Sequence, residues 1–349
     1  MIIPEISVVV PCHNSIRTLD RCFDSLRGQS FNKPYEIIFV DDSSEDGTFG
    51  RLQSYRVRYP DLVTVVRSSC RGAWSARKTG IGTARADLIA FLDSDDEAKP
   101  CFLESLYKSI KDSGSDLVVC GFERVRVDDG AVLSREFCNQ RDTISINSDP
   151  GAILSINPAP WNKLFRKASL SKVFDFPYSP VMFDDLCLLL LALCEVDKVS
   201  FVDESLVDYF VSINSTINSL DMSQVGDGAQ ALGAAAKSVI SHIDVSSRQS
   251  YIDALSAMAF IHLGVSMTLR LSLNGLLDKD ANYEIKRLLD DQFPSWKGNR
   301  YFKFAYCLSH GGFFLKAYLS YIMYRIGLIS LFLRVYRLIT ESINIDIKW

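Results

Sequence analysis

The sequence predicts an α/β domain, a mostly parallel sheet wound by helices, followed by an all-helical C-terminal domain. Over the first 120 residues, apolar runs of strand length alternate with helix-length segments, which is the pattern of parallel strands joined by crossover helices. The runs are nearly continuous in Val, Ile and Leu, as expected of strands buried on both faces. From about residue 225 onward, apolar residues recur at spacings of three and four, which indicates helices.

Five strands and four helices are predicted in alternation. The strands are 6–10, 36–40, 62–66, 88–92 and 116–122, and the helices are 15–29, 48–59, 74–84 and 101–113. In the first helix, one face carries the apolar residues Ile16, Leu19, Cys22, Phe23 and Leu26. Residues 123–160 lose this periodicity, so we expect mixed strand and loop there. The predicted domains are 1–220 and 221–349.

Composition indicates a globular chain with reduced cysteines. The 349 residues are 48% hydrophobic, which supplies enough apolar material for two cores. The nine cysteines are scattered singly without C-x-x-C spacing, so they are expected to be small core residues. The N-terminal apolar run is short, lacks preceding basic residues and ends at Pro11. We therefore expect a strand rather than a signal peptide, and a cytoplasmic protein.

Four carboxylates follow the fourth predicted strand, in the stretch LIAFLDSDDEAKP. Adjacent carboxylates repel one another, so a fold retains them where they share a cation or are fully solvated. A solvated loop remains an alternative, because a lone D-x-D is common. In an extended chain, however, Asp93 and Asp95 point to the same side. Converging carboxylates of this kind suit Mg²⁺ or Mn²⁺ that bridges a substrate diphosphate.

The second predicted strand ends in DDSSEDGT, which begins at Asp41. This segment fits an Asx turn in which Asp46 or Ser44 caps the next helix. It equally fits a binding site in which Asp41 accepts hydrogen bonds from a base or a ribose, because ligands of open α/β sheets lie beyond the carboxyl ends of the strands.

Four motifs, ISVVVPCHN, IIFVDDSSEDGT, GAWSARKTGI and LIAFLDSDD, resemble in order and spacing those of the family-2 glycosyltransferases. The resemblance covers about residues 4–215 and implies a Rossmann-like GT-A fold and sugar transfer with inversion. It implies that Asp41 contacts the nucleoside, that Asp93 lies near the ribose and the metal, and that Asp95 binds the metal. It also implies donor-binding roles for Pro11, Asn14, Arg77 and Ser94. Lys78 stands where this family has Asn, so its role is open.

A further match to the family lies in VMFDDLCLLLLALCEVDKVSFVDESLVDYF. The family's catalytic segment resembles E-D followed by an apolar helix, and here Asp184 replaces the Glu while Asp185 aligns with the Asp. Carboxylates before an apolar run also favour a helix N-terminus, which is the structural alternative. Inversion requires a base that removes the proton of the acceptor hydroxyl. Asp185 is our candidate, with Asp184 beside it.

The segment PAPWNKLF is typical of family members that build bacterial capsular polysaccharides and exopolysaccharides. Trp161 is either a core residue or a stacking face for an acceptor sugar. Lys163 is expected to approach the donor phosphates.

The C-terminal segment is both basic and apolar. Residues 292–340 contain seven Lys or Arg and no Asp or Glu, which favours an anionic membrane over nucleic acid as a partner. On a helical wheel of 311–339, one side carries Lys316, Ser320, Gly327, Ser330, Arg334 and Arg337, and the other carries Phe314, Tyr318, Ile322, Ile329, Phe332 and Tyr336. This pattern predicts a helix lying in a membrane interface. The alternative is a helix packed on the catalytic domain or on the partner of a homodimer.

We therefore expect an inverting, metal-dependent glycosyltransferase at the inner face of the plasma membrane. It would move a sugar from a nucleotide donor, with UDP as the expected carrier, to a glycan or to an undecaprenyl-type lipid-linked acceptor. A sugar nucleotidyltransferase is an alternative, but the loop after the first strand lacks glycine. A non-catalytic binding module is another, and a dinucleotide oxidoreductase is disfavoured because no G-x-G-x-x-G follows the first strand.

Overall fold

The computed structural model describes residues 2–137, 143–211, 222–310 and 312–342. Contacts divide the chain into two units, Met1–Asp149 with Ile156–Ile213, and Pro150–Ser155 with Asn214–Trp349. The boundary expected at 220 lies outside the described residues. The assignment of Pro150–Ser155 to the second unit has no counterpart in the sequence pattern.

The strands described in the first unit form one mixed sheet. They are β1 (Ile6–Cys12), β2 (Tyr35–Asp41), β3 (Val63–Arg67), β4 (Leu88–Phe91), β5 (Glu97–Ala98), β6 (Leu117–Arg126), β7 (Val132–Glu136), β8 (Ile144–Ser145), β9 (Lys163–Arg166) and β10 (Lys198–Val211). Their order is β3-β2-β1-β4-β9-β6-β10-β5, with β7 beside β6 and β8 beside β10. The first four pair in parallel. The expected fifth strand, β6, is not their parallel neighbour, because β9 lies antiparallel between β4 and β6.

The helices in chain order are α1 (Leu19–Arg27), α2 (Thr48–Arg58), α3 (Ala73–Thr83), α4 (Phe102–Ser113), α5 (Lys172–Asp175), α6 (Asp184–Ala192), α7 (Met222–Ser241), α8 (Arg248–Ala259), α9 (Met267–Leu273), α10 (Lys279–Gln292), α11 (Phe304–Ser309), α12 (Gly312–Arg325) and α13 (Ile329–Ser342). The first four lie where the periodicity predicts them. The first helix starts at Leu19 rather than Ser15, because Ser15–Thr18 forms a turn closed by the Thr18 amide on the Ser15 carbonyl. Ile16 is consequently exposed and does not belong to the buried face.

The parallel register brings three polar segments to one edge of the sheet. Cys12 of β1 pairs with Asp41 of β2, and Val9 of β1 pairs with Phe91 of β4. The carboxyl ends of these strands therefore lead into neighbouring loops, which start at His13, Asp42 and Leu92. Beneath this edge, the buried apolar residues of β1, β2 and β4 form the core.

The second unit has an aromatic core around Phe260. This ring stacks on Trp296 at 5.4 Å and meets Phe302, Tyr321 and Tyr324 at centroid distances of 5.0 to 5.8 Å. Phe260 begins a π-helical segment, Phe260–Ser266, that joins α8 to α9. Within the described residues, the helical stretch Arg248–Ser272 is long and apolar enough to cross a membrane, but 78% of its apolar window is buried inside the protein.

The C-terminal segment is not one amphipathic helix. Gly327 adopts a φ of +77°, a left-handed conformation that separates α12 from α13. The side expected to face a membrane is turned inward, since Phe314 and Ile329 are buried. Ser320, expected on the polar side, is fully buried. The predicted faces are thus wrong for α12, whose inner face packs within its own unit; the side chains of Tyr336 and Arg337 lie outside the described set.

Candidate active site

Asp41 is a fully buried carboxylate at the carboxyl end of β2. One of its oxygens, Oδ1, accepts a long hydrogen bond from the Ser44 amide at 3.4 Å. The other, Oδ2, has no hydrogen-bond partner within the described chain and lies 3.6 Å from Nε of Arg67. A buried acceptor without a donor carries a free-energy cost that a bound donor group would relieve. This arrangement suits recognition of a nucleoside N–H or O–H group.

Asn14 and Pro11 lie beside Asp41, on β1 and the loop that follows it. Asn14 has a left-handed φ of +50°, and its Oδ1 accepts a hydrogen bond of 2.8 Å from the Glu45 amide. This bond ties the loop after β1 to the loop after β2. Pro11 is half-buried and pairs with Val40 of β2. The two residues therefore help to fix the chain at the carboxyl ends of β1 and β2.

The D-S-D-D loop after β4 is held from several directions. The Ser94 hydroxyl is 2.6 Å from the Ser15 hydroxyl, and Asp96 is fully buried with its Oδ1 accepting from the Phe210 amide at 2.9 Å. Arg21 of α1 donates to the Asp95 carbonyl, and its guanidinium lies 3.5 Å from the centre of the Phe210 ring. These contacts fix the loop while the Asp95 side chain stays exposed.

Arg77 of α3 contacts three of the predicted site carboxylates. Its Nη2 lies 3.1 Å from Oδ1 of Asp93, and its Nη1 lies 2.7 Å from Oδ2 of Asp184 and 2.8 Å from Oδ1 of Asp185. The Arg77 side chain is only 5% exposed. Burial alone would lower the pKa of Arg77, but Asp185, Asp93 and Asp184 raise it. The guanidinium is therefore permanently charged and directed toward protein carboxylates, not toward open space where a donor would bind.

Asp184 and Asp185 form the first turn of α6, after Phe183, which has a left-handed φ of +61°. Burial raises the pKa of Asp185 to about 7, Arg77 opposes the shift, and Asp184 and Asp93 add to it. Burial also raises the pKa of Asp184, again opposed by Arg77. A general base works best when its pKa is near the operating pH, which suits Asp185.

The two carboxylates differ in how they are held. Asp184 accepts a hydrogen bond from Nη1 of Arg77, whereas Oδ1 of Asp185 is close to the same nitrogen but receives no aligned hydrogen bond from the described residues. Asp185 is also the more exposed, with 33% of its side chain accessible against 21% for Asp184. Of the pair, Asp185 therefore offers the more accessible carboxylate to an acceptor hydroxyl.

Lys163 does not lie where a donor phosphate could reach it. It is fully buried, and its ammonium donates to Asn157 Oδ1, the Ala159 carbonyl and Asn162 Oδ1 at 2.6 to 2.8 Å. All three N–H donors are used within the protein. Burial lowers the pKa of Lys163 to about 7. The expectation of a phosphate contact is corrected: Lys163 is an internal cation, and its charge acts on Asp185.

Trp161 belongs to the core, which corrects the expected stacking role toward an acceptor sugar. The residue is 5% exposed. Tyr209 stacks on the indole at 5.1 Å, and Phe122 meets it edge-on at 4.7 Å. Lys78, whose role was open, is outside the carboxylate cluster and donates to the Phe174 carbonyl at 2.9 Å.

The D-x-D carboxylates fit a divalent cation that is shared with a substrate. No group of three or more His, Cys, Asp or Glu side chains suited to a metal occurs in the part of the chain that the structure describes. Desolvation by the surrounding protein atoms raises the pKa of the Asp95 carboxyl, and the neighbouring Asp93 charge raises it further. Arg77 pairs with Asp93, and no ion pair to the Asp95 side chain occurs among the described residues. Mg²⁺ and Mn²⁺ commonly bind through one or two carboxylates together with substrate phosphates. Asp95, with Asp93 beside it, can hold such an ion.

The site thus combines a buried carboxylate at the end of β2, a D-x-D loop after β4, and a base candidate linked to Asp93 through Arg77. This combination is typical of nucleotide-dependent α/β transferases. Residues 7–174 match the model of the family described as glycosyl transferase family 2. The resemblance of this part of the chain to that family is confirmed.

Two curated relatives illustrate the similarity. Glycosyltransferase AglE of Haloferax volcanii is 29% identical over 148 residues, which are 42% of this chain and 49% of the relative. Poly(ribitol-phosphate) beta-glucosyltransferase of Bacillus spizizenii is 35% identical over 117 residues, which are 33% of this chain and 18% of the relative. The chain thus spans half or less of the length of these two relatives.

The fold is that of solved GT-A enzymes. The crystal structure of S. aureus TarS 1-349 in complex with UDP-GlcNAc superposes with a TM-score of 0.68 and 20% identity, over 93% of this chain and 92% of that chain. The prediction of a GT-A sheet followed by a helical region is confirmed. The family assignment favours sugar transfer over the nucleotidyltransferase and oxidoreductase alternatives.

The central role of Arg77 was missed from the sequence. The motif match suggested a donor contact, whereas the structure shows contacts with Asp93 and, 107 positions along the chain, with Asp184. Asp42 was also missed: it is buried, its Oδ2 accepts from the Gly72 amide at 2.8 Å, and its Oδ1 has no hydrogen-bond partner in the described chain. One feature of the sequence could have indicated this role of Arg77. The four carboxylates clustered after β4 require a nearby cation, and a basic side chain can supply it.

Proposed function

We propose that this protein transfers a sugar, with inversion at the anomeric carbon, from a uridine diphosphate sugar to a hydroxyl group of a glycan in polysaccharide synthesis. The observation that carries the proposal is the carboxylate cluster around Arg77. It joins Asp93, at the donor side in family 2, to the base candidate Asp185, and each is 3.1 Å or less from the same guanidinium. This arrangement supports one reaction centre that contains a donor-side group and a base.

The donor site rests on Asp41 and the D-x-D loop. Oδ2 of Asp41 accepts no hydrogen bond from the described residues, although Arg67 lies 3.6 Å away, and offers an acceptor for a nucleoside donor group. The exposed Asp95 side chain follows β4, which β1 separates from β2 in the sheet. TarS, which shares the fold, is described in complex with UDP-GlcNAc. These features support a UDP sugar as the donor of this chain.

The reaction consists of one displacement. The acceptor hydroxyl oxygen bonds to the anomeric carbon from the face opposite the nucleotide, and the bond between that carbon and the β-phosphate oxygen breaks. The hydroxyl proton moves to a carboxylate oxygen of Asp185, and the nucleoside diphosphate leaves with the bonding electrons. Asp184 stays hydrogen-bonded to Arg77. A divalent cation held by Asp95 and Asp93 would neutralise the charge that develops on the leaving diphosphate.

Calorimetric titration with UDP tests the donor site. We expect tighter UDP binding with Mn²⁺ than with EDTA, and loss of that difference in Asp95→Asn. Asp128→Asn, which removes an exposed carboxylate from the turn between β6 and β7, is the matched control and should bind as wild type does. Equal UDP affinity with and without the metal would contradict the metal-dependent donor site.

A screen of nucleotide sugars tests the reaction itself. The expected result is release of UDP from one or more UDP sugars in the presence of Mn²⁺ or Mg²⁺, accelerated by a glycan acceptor. Analysis of the product by NMR reports whether the anomeric configuration is inverted. Retention of configuration, or the absence of any turnover with every donor and acceptor, would contradict the proposal.

We also propose that the protein acts at the inner face of the plasma membrane on a lipid-linked acceptor. The solvent-exposed surface of α12 and α13 carries Leu319, Ile326, Leu328, Leu331 and Val335, each 43 to 58% exposed. Lys316, Arg325 and Arg334 are exposed among them, and residues 292–340 contain no acidic side chain. We call these eight residues the apolar-basic surface.

An anionic bilayer is the occupant that this surface fits. Each Lys or Arg near such a membrane contributes about 1 kcal/mol of attraction, and the exposed apolar side chains can enter the headgroup region. A purely polar partner would leave the five apolar side chains without contacts. Docking of this kind would keep the enzyme beside an acceptor that remains in the bilayer.

Sedimentation with vesicles tests this surface. We expect binding to phosphatidylglycerol vesicles at low salt, release at high salt, and loss of binding in Arg325→Glu/Arg334→Glu and in Leu328→Asp/Leu331→Asp. Arg56→Glu/Arg58→Glu, which changes two exposed arginines of α2 by the same charge, should bind normally. Protein that stays in the supernatant at low salt, or equal losses in the control pair, would contradict membrane docking through α12 and α13.

A further inference from the structure

Arg77 lies between the two halves of the reaction centre. Its two terminal nitrogens, Nη1 and Nη2, lie on opposite arms of one planar group. Nη1 faces Asp184 and Asp185, and Nη2 faces Asp93. Because the guanidinium is rigid, its contacts fix the positions of these carboxylates relative to one another. A lysine ammonium, as a single point charge, cannot do this.

The guanidinium is enclosed by protein. Its side chain is 5% exposed, and its remaining nitrogen, Nε, is buried with no hydrogen-bond partner among the described residues. Both terminal nitrogens contact carboxylates. Because the side chain is enclosed, a direct contact with a sugar or a phosphate would require the protein around the guanidinium to open.

The position of Arg77 is set by close packing of its helix. Gly80 lies three residues later on α3, and a Cβ atom there would come within 2.2 Å of Cγ1 of Val9 on β1. The helix therefore approaches the central strand more closely than a larger residue would permit. Asp93 follows β4, which pairs with β1, so the strand that sets the helix position also neighbours the D-x-D loop.

We propose that Arg77 is a positioning residue for sugar transfer, which holds Asp185 at a fixed place relative to Asp93 without touching the donor. This inference rests on the proposed function, in which Asp185 is the base and Asp93 lies at the donor. It changes the role that the motif match implied for Arg77, from binding the donor to orienting the base.

Kinetics of Arg77→Lys, Asp185→Asn and the double variant test this role. Arg77→Lys keeps the buried positive charge but loses the bridging geometry, so we expect kcat to fall by roughly tenfold to a hundredfold, the range for a misplaced catalytic group. The dissociation constant for UDP should stay near the wild-type value. The double variant should be no slower than Asp185→Asn, because Arg77 then has no base to orient.

Three results would overturn the positioning role. The first is a rise in the dissociation constant for UDP that accounts for the loss of kcat/KM, which would make Arg77 a donor contact. The second is a double variant whose losses multiply, which would make Arg77 act independently of Asp185. The third is unchanged kcat in a folded Arg77→Lys protein, which would show that transfer does not need the bridging geometry.

Urea unfolding of the same variants supplies a readout that does not depend on activity. Arg77→Gln leaves three crowded carboxylates without their cation, and we expect it to be destabilised. Addition of Asp184→Asn should restore part of the loss, because it removes one negative charge from the cluster. A wild-type protein that transfers no sugar, combined with this stability coupling, would overturn the proposed function and the positioning role with it. An active wild type with no kinetic coupling would overturn the positioning role alone.

Discussion

Asp185 is a partly buried carboxyl whose neighbours determine when it can act as a base. Burial raises its pKa to about 7 from an ordinary value of 3.8. The charged groups that act on it are Arg77, Asp184, Asp93 and Lys163. Between these two pH values the folded protein binds a proton that the unfolded chain has released. The Asp185 carboxyl therefore makes the fold less stable as pH rises through this window.

We predict that kcat/KM rises with pH and levels off above about 7, because only ionised Asp185 can take up the proton of the acceptor hydroxyl. Asp185→Asn should lower kcat by roughly a hundredfold, the scale of a lost general base, and should flatten the profile. A pH series with saturating metal measures both effects. In Asp184→Asn the rise should persist; if that variant instead loses activity and pH dependence, Asp184 is the base.

Lys163 gives a second prediction at the scale of one residue. Its ammonium satisfies three acceptors, those of Asn157, Ala159 and Asn162. Lys163→Met fills a similar volume but leaves them unpaired, so we expect a loss of about 1–3 kcal/mol of unfolding free energy. UDP affinity should be unchanged, since no phosphate contact is lost. Lys108→Met, at an exposed lysine of α4, is the control. If Lys163→Met weakens UDP binding and Lys108→Met does not, Lys163 contacts the donor phosphates after all.

Helix α3 is the element that carries Arg77, and its packing depends on one glycine. A Cβ at Gly80 would lie 2.2 Å from Cγ1 of Val9, a β-branched residue on a central strand that has little freedom to move. Gly82, on the same helix, is exposed, and its added Cβ would meet Phe174 at an ordinary distance of 3.5 Å. The two glycines therefore form a matched pair.

We predict that Gly80→Ala destabilises the protein by about 1–3 kcal/mol, as expected for overpacking of a close contact. Gly82→Ala should be neutral or stabilising by up to about 1 kcal/mol, because alanine favours the helix. Urea unfolding of both variants provides the comparison. Similar stabilities for the two would show that α3 can move away from β1 at little cost.

The helical elements also show what periodicity leaves undecided. Each of α1 to α4 has one apolar face, and the sheet is the surface that can cover it. The expected helices are present. For α12 and α13, periodicity identified apolar residues but not what covers them. Tyr321 and Tyr324 pack onto Phe260, whereas Leu328 and Leu331 remain exposed.

At the scale of the whole molecule, the C-terminal segment is part of a core and cannot be treated as a removable anchor. Ending the chain after Asp291 would remove Trp296, Phe302, Tyr321 and Tyr324 from the aromatic core around Phe260. Each buried aromatic side chain contributes several kcal/mol. We predict that the shortened chain is insoluble or lacks cooperative unfolding of its second unit, as measured by calorimetry. Leu328→Asp/Leu331→Asp should keep the wild-type Tm; a shortened chain with intact cooperative unfolding would contradict this account.

The sequence by itself determined the strands and helices of the first half of the chain, the family, and the carboxylates on which the site is built. These follow from local periodicity and from short motifs whose residues lie next to one another along the chain. The contacts of these elements are made largely with neighbouring strands, so the local pattern was sufficient to predict them.

The tertiary structure alone decided which groups meet. It inserted β9 between β4 and β6, buried Lys163 and Trp161, and joined Arg77 to Asp93 and Asp185. The physical reason is that a local pattern reports the polarity of a side chain and the spacing of its neighbours. Burial and charge pairing depend on other segments of the chain, such as Arg77 and Asp184, 107 positions apart, which come together only when the sheet and its helices pack.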